Sequence, residues 1–321
     1  MLSRTADHLF WLARYMERAE NTARMLDVNY QTSLLPQSAD TAEAGWRGLL
    51  SISELTWSFS QKHKEVTPQN VMDFMVSDAS NPSSIVACLH AARENARAVR
   101  GALTTEVWET QNQTWLEFNR VLREGNFHRD PGTLFEWVKF RSHLSRGVTV
   151  GTMLQDEALH FLRIGTFLER ADNTARLLDV KFQALAGGDY FGPGTAKEGL
   201  EVDFYHWSAI LRSVSGFEIY RKVYRNVIHP DKVAELLILR PDMPRSLAAC
   251  MNEAMLNLEL VANQQSSETL RRAGRLQADL QYGRIDEILS TGLHAYLTAF
   301  LDRVNDLGVG ISRDFLVPMA A

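Results

Sequence analysis

An internal repeat is the feature that most constrains what this chain can fold into. The segment from Met16 to Gln31 recurs from Leu168 to Gln183, 152 residues further along the chain. From Glu17 to Gln31, eleven of fifteen positions are identical, and three of the four differences are conservative. Repetition at a long, fixed distance is typical of a structural unit that is used twice. The sequence therefore predicts two copies of one unit.

A second pair of segments matches in the same order. NPSSIVAC at residues 81–88 resembles MPRSLAAC at residues 243–250, at an offset of 162. Matches at slowly growing offsets favour a tandem duplication of about 150 residues, which is enough for one packed unit. We expect a first repeat over residues 1–150 and a second over residues 151–321, packed together into one helical body.

The spacing of apolar residues predicts a long amphipathic helix at the start of each copy. Apolar side chains recur around Leu12 with the helical period, which predicts a helix over residues 4–33 with Ser3 as its N-cap. In the second copy, Thr152 and Gln155 have the spacing of a capping box. The second long helix is therefore expected to begin there.

Few turn-forming residues interrupt the chain. It has 19 glycines and 9 prolines in 321 residues, and the alternation typical of strands is nearly absent. These observations predict an all-α fold with roughly six helices in each repeat. The longest loop is expected over residues 187–199, where the second long helix ends, with residues 34–45 as its counterpart. Prolines mark further helix starts at Thr67-Pro68 and Asn81-Pro82, with Pro230 and Pro244 at the matching places.

Composition excludes several classes of protein. A net charge of −5 without blocks of like charge argues against binding to nucleic acid. No apolar stretch is long enough to cross a membrane or to serve as a signal peptide, so we expect a cytoplasmic protein with no membrane contact. Cys88 and Cys250 are too few for a disulfide framework and lack metal ligands nearby. No nucleotide or metal motif occurs, so neither a cofactor nor a metal is expected.

The repeated segments carry one stripe of charged residues each. In the first copy these residues follow the spacing i, i+3, i+7 and i+10, which places them on one flank of the core face. The stripes are Glu17, Glu20, Arg24 and Asp27, repeated as Glu169, Asp172, Arg176 and Asp179. Helix geometry places Arg18 and Arg170 on the opposite flank. It places Asn21 and Asn173 on the solvent side of the stripe.

Two interpretations of the stripes stand. In the first, the charges satisfy one another: Glu20 pairs with Arg24 within a helix, and pairs form across an approximate two-fold axis. Those cross pairs would be Glu17 with Arg176 and Glu169 with Arg24. In the second, the stripes line a shared cleft, with arginines for an anionic ligand and carboxylates for proton transfer. The Glu-x-x-His element of di-iron bundles is missing, which disfavours a metal site.

A local basic cluster precedes the predicted start of the second copy. Arg141, His143 and Arg146 lie in the segment KFRSHLSRG. They are interpreted as a solvated helix end or, alternatively, as an anion site.

The repeated motif resembles a known family. LSRTADHLFWLARYMERAENTARMLDV and its echo FLERADNTARLLDV, with RSHLSRGVTVGTMLQDEALHFLRIG between them, are similar to the bacterial alpha-E family of helical proteins. The resemblance covers essentially the whole chain. It implies a helical cytoplasmic protein encoded beside, or fused to, a circularly permuted ATP-grasp ligase, in a peptide-synthesising or peptide-modifying system. The motif residues carried over are Glu17, Arg18, Glu20, Asn21 and Arg24, with Glu169, Arg170, Asp172, Asn173 and Arg176.

Three functions remain as hypotheses from the sequence. The first is an accessory subunit that docks on an ATP-grasp-type amide ligase and presents its peptide ligand. The second is an enzyme that uses the two stripes on a peptide-like or amino-acid substrate. The third is a structural scaffold that forms homo-oligomers.

Overall fold

The computed structural model describes residues 1–34, 39–186 and 200–316, and these residues form α-helices and two short 3-10 helices without any β-strand. The all-α prediction is thereby confirmed. The α-helices are α1 (Ser3–Ser33), α2 (Ala39–Ile52), α3 (Thr56–Ser60), α4 (Pro68–Val76), α5 (Ile85–Ala98), α6 (Thr105–Glu124), α7 (Pro131–Thr152), α8 (Glu157–Ala186), α9 (Leu200–Ser213), α10 (Phe217–Tyr224), α11 (Pro230–Ile238), α12 (Leu247–Leu260), α13 (Ser267–Tyr282), α14 (Ile285–Thr291) and α15 (Leu293–Phe315).

Helix α1 lies at the centre of the fold. It packs against α5, α7, α8 and α9, and every residue from 19 to 26 is buried. An amphipathic helix at a protein surface keeps a polar face in water. Because α1 is covered on several sides, its charged stripe lies inside the protein instead of along a solvent boundary.

The two long helices cross closely at Gly165 of α8. A Cβ atom at this position would lie 2.3 Å from the carbonyl oxygen of Phe10 and 3.3 Å from the Cβ of Ala13. Ala13 is the repeat counterpart of Gly165 at the offset of 152. The crossing point therefore places equivalent residues of the two copies against each other, and the charged stripes follow within one turn.

Capping residues decide where the shorter helices begin. Thr67 caps α4 at Pro68, and α11 begins at Pro230, as predicted. The starts predicted at Asn81-Pro82 and Pro244 are wrong, because α5 and α12 begin three residues later. The side chains of Ser84 and Ser246 accept a hydrogen bond from the backbone N–H three residues on, as N-caps do.

The ends of the long helices also differ from prediction. Leu2, not Ser3, is the N-cap of α1, without a side-chain cap. Thr152 ends α7 instead of opening α8; the Asp156 carboxylate accepts hydrogen bonds from the backbone N–H groups of Ala158 and Leu159 at the start of α8. The loop predicted over 34–45 is shorter, since α2 begins at residue 39. The predicted loop over 187–199 lies outside the described residues.

Three pairs of helices in the two halves correspond in order and length. Helices α2 and α9 have 14 residues each, α4 and α11 have 9, and α5 and α12 have 14. Glu54 and Ser215, which follow α2 and α9, both adopt a left-handed backbone with φ of 56° and 53°. In the described ranges, seven α-helices precede residue 153 and eight follow it, more than the six per repeat expected. The duplication and the boundary at 150/151 stay predictions.

Within the described ranges, no helix combines the length and the apolar character needed to cross a membrane.

Candidate functional site

The two long helices exchange a pair of Glu-Arg contacts. Arg170 on α8 donates from Nε and Nη2 to the two carboxylate oxygens of Glu17 on α1, at 2.9 Å each. Arg18 on α1 donates in the same way to Glu169 on α8, at 2.5 and 3.1 Å. Two parallel N–H···O bonds give a charge-assisted pair a fixed geometry. Each Glu-Arg dipeptide of the repeat thus binds the other one.

This exchange corrects the predicted cross pairs. Glu17 does not pair with Arg176, and Glu169 does not pair with Arg24. Arg24 donates to the Ser215 hydroxyl at 2.7 Å, and Arg176 contacts Glu54, which is the repeat counterpart of Ser215. The pairing of Glu20 with Arg24 within α1 is confirmed at 2.8 Å. The angular positions of residues around each isolated helix predicted the wrong cross pairs, because long arginine side chains reach across a close helix crossing.

Four arginines enclose the two glutamates of α1. Glu17 accepts from Arg146 and Arg245 at 3.1 and 2.9 Å in addition to Arg170. Four donors therefore occupy its two oxygens, which is about the full accepting capacity of a carboxylate. Both glutamate side chains are essentially fully buried. We call this group the Glu17 cluster, and its members are Glu17, Glu20, Arg24, Arg146, Arg170 and Arg245.

Glu20 is saturated in the same way. It accepts from Arg24 Nε at 2.8 Å, from Arg245 Nη2 at 2.5 Å and from the Ser142 hydroxyl at 2.7 Å, and it contacts Arg146 Nη1. Four donors again occupy two oxygens. Neither carboxylate of the Glu17 cluster has a free lone pair with which to take a proton from a substrate.

The matching group on α8 has fewer partners. Glu169 accepts from Arg14 Nε at 2.7 Å in addition to Arg18, and Asp172 pairs with Arg176 at 2.8 Å. Arg176 also reaches the exposed carboxylate of Glu54. We call this group the Glu169 cluster, and its members are Glu54, Glu169, Asp172, Arg14, Arg18 and Arg176.

The pKa values of the carboxylates follow their surroundings. Burial alone raises the pKa of Glu17, but Arg170 and Arg245 overcome that effect and hold it below its ordinary value. Burial also raises the pKa of Glu20, and three arginines bring it well below the ordinary value. The same balance, with Arg14 and Arg18, lowers the pKa of Glu169 to about 2. These three glutamates are ionised at neutral pH. At Asp172 the effect of burial exceeds the opposing effect of Arg176, so its pKa is raised.

The two clusters differ in net charge. Four guanidinium groups face two carboxylates in the Glu17 cluster, whereas three face three in the Glu169 cluster. His143 beside the Glu17 cluster adds no positive charge, because burial and the neighbouring arginines lower its pKa. The six residues of the Glu17 cluster thus carry an excess of two positive charges. Uncompensated charge is costly inside a protein unless water or a counter-ion reaches it.

The remaining stripe residues lie outside the two clusters. Asp27 pairs with Lys139 of α7 at 2.7 Å, and Asp179 bonds to His294 of α15 at 2.7 Å. Asn21 is buried, although a solvent position was predicted, and its side-chain oxygen accepts from Arg245 at 2.9 Å. Asn173 is half-buried.

Sequence reasoning missed Arg245 and assigned Arg146 to another role. Arg146 lies within α7 and reaches Glu17, so the basic cluster of α7 is not a solvated helix end. The signal for Arg245 is present in the aligned copies, where PSS in the first becomes PRS in the second. Ser83 thus stands where the second copy has Arg245, a difference that is visible without a structure.

A cavity of about 330 Å³ adjoins the Glu17 cluster. It lies among α1, α6, α7 and α8, and apolar side chains such as Leu12, Met16 and Leu162 form most of its wall. The charged groups on the wall are Glu17, Arg146, Arg163 and Arg170. Such a mixture of apolar wall and a few polar groups is typical of small-molecule sites. No group of His, Cys, Asp or Glu in the described ranges could hold a metal ion.

Fold and site together define an all-α protein in which two crossed helices hold each other through paired Glu-Arg motifs. The chain belongs to the Alpha-E family, described as a predicted alpha-helical domain with a conserved ER motif, whose family model matches residues 1–316. The Glu-Arg pairs of this chain are Glu17-Arg18 and Glu169-Arg170. Their contacts with each other give the motif a structural explanation.

Curated relatives of the chain come from mycobacteria. An uncharacterised protein of Mycobacterium bovis is 23% identical over 326 residues, which cover 93% of this chain and 35% of that protein. Uncharacterised proteins from two strains of Mycobacterium tuberculosis match with the same identity and coverage. The chain thus spans about a third of the length of the curated relatives it matches. No solved structure matches it significantly.

Proposed function

We propose that this protein is a cytoplasmic accessory subunit, not an enzyme, which docks on an ATP-grasp-type amide ligase and presents a peptide-like ligand to it. The ligase and the peptide chemistry come from the family resemblance. The observation that carries the docking part is an exposed apolar face on α7. Direct catalysis by the stripes is disfavoured, because the carboxylates of Glu17 and Glu20 are already saturated with hydrogen bonds.

The carboxylates of Glu17 and Glu20 are poorly suited to acid–base catalysis. A general base needs a free lone pair within reach of the substrate proton, and a pKa near the working pH. The four hydrogen bonds on Glu17 and on Glu20 fill their oxygens, and their pKa values lie below the ordinary range. The clusters fasten α1 to α7, α8 and the start of α12, so they serve the fold and the local charge.

Helix α7 presents apolar side chains to solvent. Phe140 is 67% exposed and Leu144 is 45% exposed, and with Gly147 and Gly151 they share one helical face. A Cβ atom at either glycine would have open space around it. Exposed apolar faces of this kind are typical of protein interaction sites. We call these four residues the α7 ridge.

The second copy supplies an internal comparison for the α7 ridge. At the offset of 162, Asp302 and Asp306 of α15 correspond to Phe140 and Leu144. At these two positions the solvent-facing residues are apolar on α7 and charged on α15, while Val309 of α15, which corresponds to Gly147, is apolar and exposed. Because both copies come from one repeated pattern, the apolar residues of α7 favour a role that α15 does not have, and partner binding is such a role.

Co-purification tests this proposal directly. The full chain is expressed with an ATP-grasp-type ligase of the same organism, and association and the ligase rate are measured with and without it. Phe140→Asp with Leu144→Asp, which gives α7 the residues of α15, is expected to abolish association while melting temperature stays near that of the parent. Val309→Asp is the control, because Val309 is 68% exposed on α15.

Three outcomes contradict the proposal. Failure of the parent chain to associate with the ligase or to change its rate removes the docking role. A catalytic activity of the isolated chain that Glu17→Gln abolishes without unfolding restores the enzyme hypothesis. Self-association of the parent chain that the α7 double variant abolishes, without any ligase binding, favours the homo-oligomeric scaffold.

A further inference from the structure

The cavity beside the Glu17 cluster has a polar lining on α7 that the corresponding positions of α15 do not repeat. In the first copy its wall includes the polar residues Ser142, Ser145 and Thr149 of α7. The residues at the offset of 162 on α15 are Val304, Leu307 and Ile311, all apolar and buried. Buried apolar side chains of α15 thus stand at the positions where α7 places hydroxyl groups on the cavity wall. A ligand that uses these hydroxyl groups is expected at the α7 side.

Positive charge is concentrated on the same side. Two of the four arginines of the Glu17 cluster, Arg146 and Arg170, lie on the cavity wall, where both are ion-paired with Glu17. The negative charge of Glu17 on the wall is offset by Arg146, Arg170 and Arg245, which are ion-paired with it. In the second copy, Gly308 stands where the first has Arg146. The cavity and the excess of positive charge thus occur together beside α7.

A third guanidinium group borders the cavity with an unmet donor. Arg163 Nε is buried and has no hydrogen-bond partner among the described residues, although Nη2 of the same group donates to Glu253 at 2.5 Å. The Arg163 and Arg170 guanidinium groups lie 5.9 and 5.2 Å from the ring centre of Phe167, which also lines the cavity. Val150 on the wall is 63% exposed, which places an opening there.

We infer that this cavity binds the carboxylate end of a small, largely apolar ligand, through the guanidinium groups of Arg146, Arg163 and Arg170. The apolar walls suit a hydrocarbon or aromatic body, and the excess positive charge suits one anionic group. The volume of about 330 Å³ is at the lower end for small-molecule pockets, so the ligand is small. The inference rests on the proposed function in one respect: the apolar C-terminal residue of a peptide has this chemistry. A medium-chain fatty acid has it as well.

Binding to the isolated full chain is the test, by calorimetry and by the shift in melting temperature. The probes are N-acetyl-phenylalanine and decanoate, which distinguish a peptide end from a fatty acid. N-acetyl-phenylalanine amide and inorganic phosphate are the control ligands. We expect one site per chain for one of the two carboxylates, at least tenfold weaker binding of the amide, and no competition by phosphate.

Equivalent residues of the two copies provide matched variants. Arg170→Gln removes a guanidinium group from the cavity wall, and Arg18→Gln makes the same change in the Glu169 cluster, which does not border the cavity. Arg170→Gln is expected to weaken binding at least tenfold, while Arg18→Gln leaves it unchanged. Arg163→Gln and Thr149→Ile test the site if Arg170→Gln fails to fold. Thr149→Ile places the residue of the second copy into the cavity, and each is expected to weaken binding.

Several results would overturn the inference. These are no binding of either carboxylate at millimolar concentration, equal binding of the amide, competition by phosphate, or binding that survives both Arg163→Gln and Thr149→Ile. The binding assay contains no ligase, so such a result does not contradict the docking proposal, which the co-purification assay tests separately. Loss of ligase association, conversely, does not affect binding measured on the isolated chain.

Discussion

Glu17 and Arg170 lie 153 positions apart in the sequence and form a two-bond ion pair at the centre of the fold. The repeat generates a second such pair from Glu169 and Arg18. A buried glutamate that lost its charge would leave its arginine partners unpaired, which is strongly unfavourable. The Glu-Arg motif therefore joins the two halves of the molecule, whatever else the clusters do.

Replacing Glu17 should cost more stability than replacing Glu169. Glu17→Gln leaves four arginines facing a single carboxylate, and we expect a loss of about 3–5 kcal/mol in the free energy of unfolding. Glu169→Gln acts on a cluster that has equal numbers of both charges, so its loss should be smaller. Urea denaturation followed by circular dichroism measures both. Equal stability of Glu17→Gln and the parent would contradict the described network.

Acid should weaken the fold through Glu169. Its pKa of about 2 in the folded state is below the ordinary value of 4.5, so the unfolded chain binds more protons between these values. The stabilisation is fully present above pH 4.5 and is lost as the pH falls towards 2, by up to about 1.4 kcal/mol per pH unit. Unfolding free energies between pH 2.5 and 6, measured on the parent and on Glu169→Gln, check this. The variant should show the shallower slope.

Replacing Gly165 or Gly147 by alanine should change the stability of the protein in opposite directions. Gly165→Ala forces a Cβ to within 2.3 Å of the Phe10 carbonyl, so α1 and α8 must separate, at a cost of about 1–3 kcal/mol. Gly147 lies inside α7 with open space around it, and Gly147→Ala should stabilise the protein by about 0.5–1 kcal/mol. The melting temperatures of both variants, compared with that of the parent, test this prediction. A neutral Gly165→Ala would mean that the helices do not cross as described.

The two cysteines should be unreactive in the native protein. Both are fully buried, and burial raises the pKa of each thiol to about 12. The thiolate is the reactive form, so almost none is present at pH 8. Absorbance after addition of a disulfide reagent should show no native thiols and two after denaturation. Rapid native labelling of one cysteine would indicate that its half opens locally.

The sequence predicted the helical fold because it is encoded locally. Apolar spacing and capping residues involve residues a few turns apart, and the repeated segment is visible when the sequence is compared with itself. The helix starts at Thr67-Pro68 and at Pro230 were predicted correctly for this reason. Ser84 and Ser246 took the capping role from Asn81 and Pro244, because several nearby residues compete and local pattern does not choose between them.

Tertiary structure decided the partners of the charges. Arg146 and Arg245 reach Glu17 from helix α7 and from the turn before α12, more than a hundred residues away, and nothing in the local pattern of α1 specifies them. Helix angles placed Asn21 towards solvent, because they describe an isolated helix, whereas α1 is surrounded and Asn21 is buried. The cavity among α1, α6, α7 and α8 is also a result of tertiary packing.

By itself, then, the sequence determined that the chain is helical, that a Glu-Arg pattern recurs 152 residues later, and that buried charge needs partners. The packing of the long helices determined which guanidinium group meets which carboxylate. It also determined that the arginines of both halves gather around Glu17 beside a cavity. The physical reason is reach: helical periodicity extends over a few turns, whereas an arginine side chain at a close helix crossing selects its partner by distance in space.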